Sequence, residues 1–260
     1  MRDFANILVF CQIFGLLSSH AADFERLERG HFVIYHQNKD LANSLSWKAE
    51  YYYKKIVGHF GVPEFRPWGG KEKGEIYLYK TKADYMKATG APDWSGGIAQ
   101  LNTSKFATYE DSPNLATNTF PHELTHILFH LFADKRKMPL WLEEGMAQFE
   151  EEDETTLYKR KRFVKWSIKE GDCIHLADLF NMQFVPEDDA DKLELFYAES
   201  ASVVDHLITD NLKTSYGKFL TYLKSGEPVE SALAKAYQWK YKNGISDLET
   251  KWKEFVKRKY

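Results

Sequence analysis

The stretch Pro121-His122-Glu123-Leu124-Thr125-His126 carries two histidines four residues apart, with a glutamate directly after the first. On a helix, residues so spaced share one face with Cβ atoms about 5–6 Å apart, which suits two ligands of one tetrahedral zinc ion. The glutamate of such an H-E-x-x-H pattern is placed to act as general base toward a metal-activated water. Composition alone produces a bare match in roughly 3% of chains like this one, so the pattern needs support from elsewhere. A catalytic zinc takes three protein ligands and keeps one position open. Residues 139 to 152, "PLWLEEGMAQFEEE", offer the third: Glu143 and Glu144 stand in an amphipathic pattern with Leu140, Trp141, Met146 and Phe149. Carboxylates on an apolar helix face are costly unless paired or metal-bound. Periodicity does not choose between the two. His130 continues the histidine face, but one more turn carries it about 6 Å along the axis, beyond ligand distance. Gln148 and Glu151 are candidates to hold a ligand histidine by its other ring nitrogen. His31, His36, His59, His175 and His206 carry no motif and read as structural or surface residues.

The elements that must position these residues follow from periodicity. "HFVIYH" (31–36) and "EIYLYK" (75–80) alternate as strands do, and "GGIAQLNTSKFATY" (96–109) reads as strand with a turn at Asn102. Between them, apolar positions from Leu41 to about His59 recur at helical spacing, and "TKADYMKATG" reads as a short helix capped by Thr81 and ended by Gly90. After "EDSPN" the pattern is helical almost to the end: 115–132, 139–152, 155–170, 193–212, 214–224, 228–237 and 245–258, punctuated by Gly217, Gly226 and Gly244. Strands first and helices after predict an α+β fold, with a small N-terminal sheet and a mainly helical C-terminal half.

At 260 residues, with 43% hydrophobic and 15% aromatic residues, the chain is globular and long enough to bury a real core. A net charge of -3 gives no electrostatic footprint for nucleic acid, and the basic clusters at 135–137 and 159–162 read as solvated faces. Residues 1–21 read as a secretory signal peptide: Met1-Arg2-Asp3, the apolar run Phe4–Leu17, then small residues with Ser19 and Ala21 at the cleavage positions. Retention of that segment as an anchor is the alternative. The expectation is a secreted or periplasmic protein, with no stable membrane span after cleavage and one cysteine, Cys173, that forms no internal disulfide. A glycosylation sequon stands at Asn102-Thr103-Ser104.

"HELTH" followed by "WLEEGMAQF" resembles the gluzincin metallopeptidases, and specifically the peptidase-MA-like group. The resemblance extends over most of residues 30 to 258. It implies a single zincin-like domain over 22–260, with an α/β half at 22–112, a helical half at 113–260 and the active site between them. In that family the Glu of W-L-x-E-G completes the metal site, which assigns His122, His126 and Glu144 to one Zn2+ and leaves Glu143 on a variable position. Glu123 takes the general-base role. "FYAESASVVDHLITDNLKTSYGKFLTYLKSG" also looks like the family, in which a Tyr opens a helix packed beneath the site. Tyr197 matches it and is implied as the oxyanion donor.

The function so implied is metal-assisted hydrolysis of peptide or protein substrates. Zinc aminopeptidases, which share the two-helix signature, carry a G-x-M-E-N segment whose Glu grips the substrate's α-amine. Here the comparable stretch is Gly96 to Gln100, with Ala99 where that Glu would stand. The expectation is therefore an endopeptidase. An aminopeptidase and an idle peptidase fold kept as a binding module are the alternatives.

Overall fold

A computed structural model of the chain describes residues 24–134, 136–210 and 213–260. The signal-peptide expectation for residues 1–21 lies outside the described residues. Two compact units are present, one running to Ile56 and resuming over Arg66–Phe132, the other taking Val57–Phe65 and Ala133–Tyr260.

The first unit is built on a five-stranded mixed sheet: β1 (Glu25–Arg29), β2 (Phe32–His36), β3 (Gly74–Tyr79), β4 (Gly97–Gln100) and β5 (Lys105–Tyr109), in the order β1-β2-β3-β5-β4. β2, β3 and β5 run parallel, while β1 and β4 flank them antiparallel, so β4 is an edge strand. Helix α1 (Lys39–Phe60) links β2 to β3. Helix α2 (Lys82–Thr89) follows β3. As the sequence predicts, Thr81 caps α2 by accepting Asp84 N–H, and Gly90 ends it at φ 70°. Tyr79, Tyr85, Ala91, Ile98, Ala107 and Tyr109 form one buried cluster on this side.

Helix α3 (Phe120–Ala133) grows out of a single π-type turn at Leu115–Thr119, so the predicted helix from 115 changes winding before the histidines begin. Its sequence is apolar nearly all round, which is the pattern of a buried helix. Phe120 anchors its start, with its ring 5.4 Å from Phe106, 6.2 Å from Phe32 and 6.3 Å from Tyr52. Each such aromatic pair contributes about 0.5–1.5 kcal/mol beyond area burial. That packing fixes the helix two residues ahead of His122.

The second unit is helical: α4 (Leu140–Glu150), α5 (Glu154–Glu170), α6 (Leu176–Asn181), α7 (Ala190–Thr209), α8 (Lys213–Lys224), α9 (Val229–Tyr237) and α10 (Ile245–Lys259). α4 rests chiefly on α7. Two expectations are corrected. Gly217 does not end a helix but lies inside α8, where an added Cβ would stand 2.2 Å from the Gly61 carbonyl oxygen, so glycine permits a close backbone approach. Tyr197 does not open its helix, because α7 begins at Ala190 with Asp189 capping it, and Tyr197 sits two turns inside. Among the described residues no helix is long and apolar enough to cross a membrane.

Candidate metal centre

α3 delivers its histidines as the spacing predicts. His122 and His126 are 0% and 5% exposed, and their Nε2 atoms stand 3.1 Å apart. Two nitrogens bound at about 2.0–2.1 Å to one tetrahedral zinc would lie about 3.3 Å apart, so the pair already spans nearly one edge of that tetrahedron. Burial and the neighbouring His122 hold His126 well below the ordinary imidazole value. A neutral ring keeps its lone pair for a metal.

Glu144 comes from α4, whose position is fixed by packing along its length. Trp141 stacks on Phe180 of α6, with centroids 4.1 Å apart and planes at 14°. Next to Glu144, Gly145 lets α4 meet the α7 backbone, because an ideal Cβ there would lie 2.5 Å from Ser200 O. At the C-terminal end, Glu150 Oε1 meets His59 Nδ1 at 2.7 Å. Arg160 donates to Gln148 O and to Glu151 Oε2, both at 2.6 Å. Of the acids on and just after this helix, Glu144, Glu150 and Glu151 are all under 5% exposed, whereas Glu143 is only half-buried. Glu150 is matched by His59 and Glu151 by Arg160. Glu144 is the one that converges with His122 and His126, with one ligand atom from each residue all within 4.8 Å of one another. Among the described residues this is the only His/Cys/Asp/Glu group so arranged, and His130 is not in it.

Two imidazoles and one carboxylate, all buried, have the donor chemistry of a divalent transition metal and match the set used by catalytic zinc. The residues fit the ion.

Glu123 lies one position from His122 on the same helix and is 5% exposed. Its Oε2 accepts the Ala99 N–H of edge strand β4 at 3.1 Å. Burial pushes its carboxyl up to about 7, with His122 and the Ala99 N–H pulling the other way. A divalent cation beside it would pull in the same direction as those two. The Ala99 contact was invisible in the sequence, since a main-chain donor leaves no signature in residue type. One N–H of edge strand β4 is thereby taken by the carboxylate.

Tyr197 is 8% exposed on α7, three residues before Ser200. Helical spacing puts positions i and i+3 on one side, so Tyr197 shares the α7 side on which Ser200 meets Gly145.

Residues 70–258, well over half of the chain, match the sequence profile of the Peptidase MA superfamily. No curated protein matches the chain. The match takes in α3, α4 and α7, the helices that carry the histidines, Glu144 and Tyr197. With its His/His/Glu triad of gluzincin type, the chain belongs to the Peptidase MA superfamily of metallopeptidases.

Proposed function

We propose that this protein is an exported zinc-dependent endopeptidase. The observation that carries the reading is the buried convergence of His122, His126 and Glu144 with a carboxylate, Glu123, next along the same helix. His122, His126 and Glu144 would hold one Zn2+. When bound, zinc makes water nucleophilic near neutral pH and polarises the scissile carbonyl. Glu123 takes the proton of the attacking water and passes it to the leaving amine. Tyr197 donates its O–H to the developing oxyanion, an interaction typically worth about 3–4 kcal/mol.

The endopeptidase assignment rests on Ala99. Its N–H touches Glu123, so this residue stands beside the proposed base, and it brings no carboxylate to grip a free α-amine. Burying that charged amine uncompensated would be costly. β4 is an edge strand, and an extended substrate could add to it through main-chain hydrogen bonds, with loose side-chain selectivity. Export is proposed from the signal-like residues 1–21, and N-terminal sequencing of protein recovered outside the cytoplasm tests it.

The decisive experiment digests paired peptides, free and N-terminally acetylated, with wild type and Glu123→Gln. Cleavage of both forms at internal bonds by wild type, with nearly complete loss in Glu123→Gln, is expected. Stepwise trimming of the free forms alone would refute the endopeptidase reading. Glu123→Gln activity within tenfold of wild type would place the base elsewhere.

A further inference from the structure

The basic cluster at 159–162 belongs to a longer pattern on α5. Between 158 and 169 its exposed positions are Tyr158, Lys159, Arg162, Lys165, Trp166 and Lys169. They fall at i, i+1, i+4, i+7, i+8 and i+11, the spacing of one helix face over three turns. The opposite face is buried through Arg160, Val164 and Ser167. Tyr158 and Trp166 are 61% and 51% exposed, unusual for rings of that size. Both are braced: Arg162 Nη1 donates to Tyr158 Oη at 3.1 Å, and Phe163 stacks on Trp166 with planes at 14°. Acidic residues lie only around this stretch. Glu154 and Glu170 stand at the two ends of the helix, Glu170 lying 3.4 Å from Lys169, and Glu194 of α7 neighbours Lys159.

We propose that this face of α5 docks on an anionic lipid surface. Four cations and two amphipathic rings on one stripe are the complement of negatively charged headgroups above an apolar layer. Lysine and arginine pair with the headgroups, while Trp and Tyr sit at the boundary, where their rings are half in hydrocarbon and half in water. A nucleic acid would also attract the cations, but the rings are spaced two turns apart on a convex helix and form no groove to track a strand. The chain's net charge of -3 confines the attraction to this patch. Docking is independent of the metal centre, and its failure would leave the peptidase reading untouched.

Each cation near a charged membrane surface raises partitioning about fivefold, so the four on the stripe should give a preference on the order of 600-fold for anionic over neutral vesicles at low salt. The full chain is floated with phosphatidylcholine vesicles and with vesicles containing 30 mol% phosphatidylglycerol (roughly the anionic content that produces a strong surface potential). The apolar run at 4–17 can enter both kinds, so the readout is the ratio of the two partition coefficients. Arg162→Gln/Lys165→Gln/Lys169→Gln should lower that ratio on the order of 100-fold, while Lys48→Gln/Lys54→Gln/Lys87→Gln, with the same charge change elsewhere, should leave it within a few-fold of wild type. Brominated acyl chains should quench a component of tryptophan emission that Trp166→Phe lacks. No preference for the anionic vesicles would overturn the proposal. So would an equal loss in the control variant, equal quenching in Trp166→Phe, or tighter binding to single-stranded DNA than to the vesicles.

Discussion

Replacing Gly145 by Ala should weaken metal binding without touching any ligand. An Ala Cβ would lie 2.5 Å from Ser200 O, 2.7 Å from Ser200 C and 3.0 Å from Val204 Cγ2. Non-bonded carbon contacts settle at about 3.5–4.0 Å, so the overlap approaches 1 Å, and two of the three atoms are backbone that cannot rotate away. Alanine's helix preference returns about 1 kcal/mol, against about 1–3 kcal/mol for overpacking. The net loss of stability is therefore modest, about 2 kcal/mol at most, and relief comes from α4 and α7 parting. Glu144 is the next residue and moves with α4. Metal–ligand distances tolerate only about 0.2 Å, so a shift of half an ångström or more should cost about 10–100-fold in zinc affinity. Competition against a chromophoric chelator at neutral pH, alongside a thermal melt, reads both effects. Gly217→Ala is the control, since its Cβ would stand 2.2 Å from Gly61 O at a contact between α8 and the end of α1. It should lower Tm and leave zinc affinity unchanged. If Gly145→Ala binds zinc within twofold of wild type, or Gly217→Ala loses as much, packing at Gly145 does not position Glu144.

Glu144→Ala should strip metal from the purified protein while Glu143→Ala retains it; equal loss in both, measured by metal analysis, would refute the ligand assignment. Tyr197→Phe should lower kcat about 100-fold or more with little change in KM, because its hydrogen bond forms mainly in the transition state; a rise in KM alone would make it a substrate-binding residue. Glu199, fully buried on α7 and accepting Ile174 N–H, has its carboxyl pushed up to about 8 by burial, above an unfolded value near 4.5. Its contribution to stability is fully present below about pH 4.5 and is lost as pH rises toward 8. Glu199→Gln should therefore raise Tm at pH 8 and flatten the fall in Tm between pH 5 and 8, and a Tm–pH curve parallel to wild type would contradict this.

What the sequence made legible is what short-range periodicity encodes. β2 and β3 alternate, α1 and α10 keep helical spacing, and Thr81 and Gly90 mark the ends of α2 by their own backbone chemistry. The unread elements lack such a signal. β1 reads Glu-Arg-Leu-Glu-Arg, with charges where a central strand would alternate apolar residues; at a sheet edge, where one side faces solvent, such charges are tolerated and discourage further pairing. α6 spans six residues, too few to show a period. Gly217 has the same letter whether it breaks a helix or admits a neighbour, and only the Gly61 carbonyl decides.

The metal site divides along the same line. His122 and His126 are paired by one turn of one helix, so their convergence is local and the spacing alone states it. The third ligand depends on how α4 is rotated, and α4 with its exit carries several acids that composition cannot rank. The structure ranks them by what else each one meets. Glu150 goes to His59, 91 residues away in the chain, and Glu151 goes to Arg160 on the next helix. Glu143 is partly buried near the start of α4, and burial pushes its carboxyl up to about 7. A buried carboxylate is costly without a partner, and Glu150 and Glu151 each meet a basic side chain. Glu144 instead converges with two imidazoles, one of them held neutral, in a set that could coordinate a metal ion. Next to it, Gly145 lets α4 approach the α7 backbone, a close contact that any side chain would obstruct.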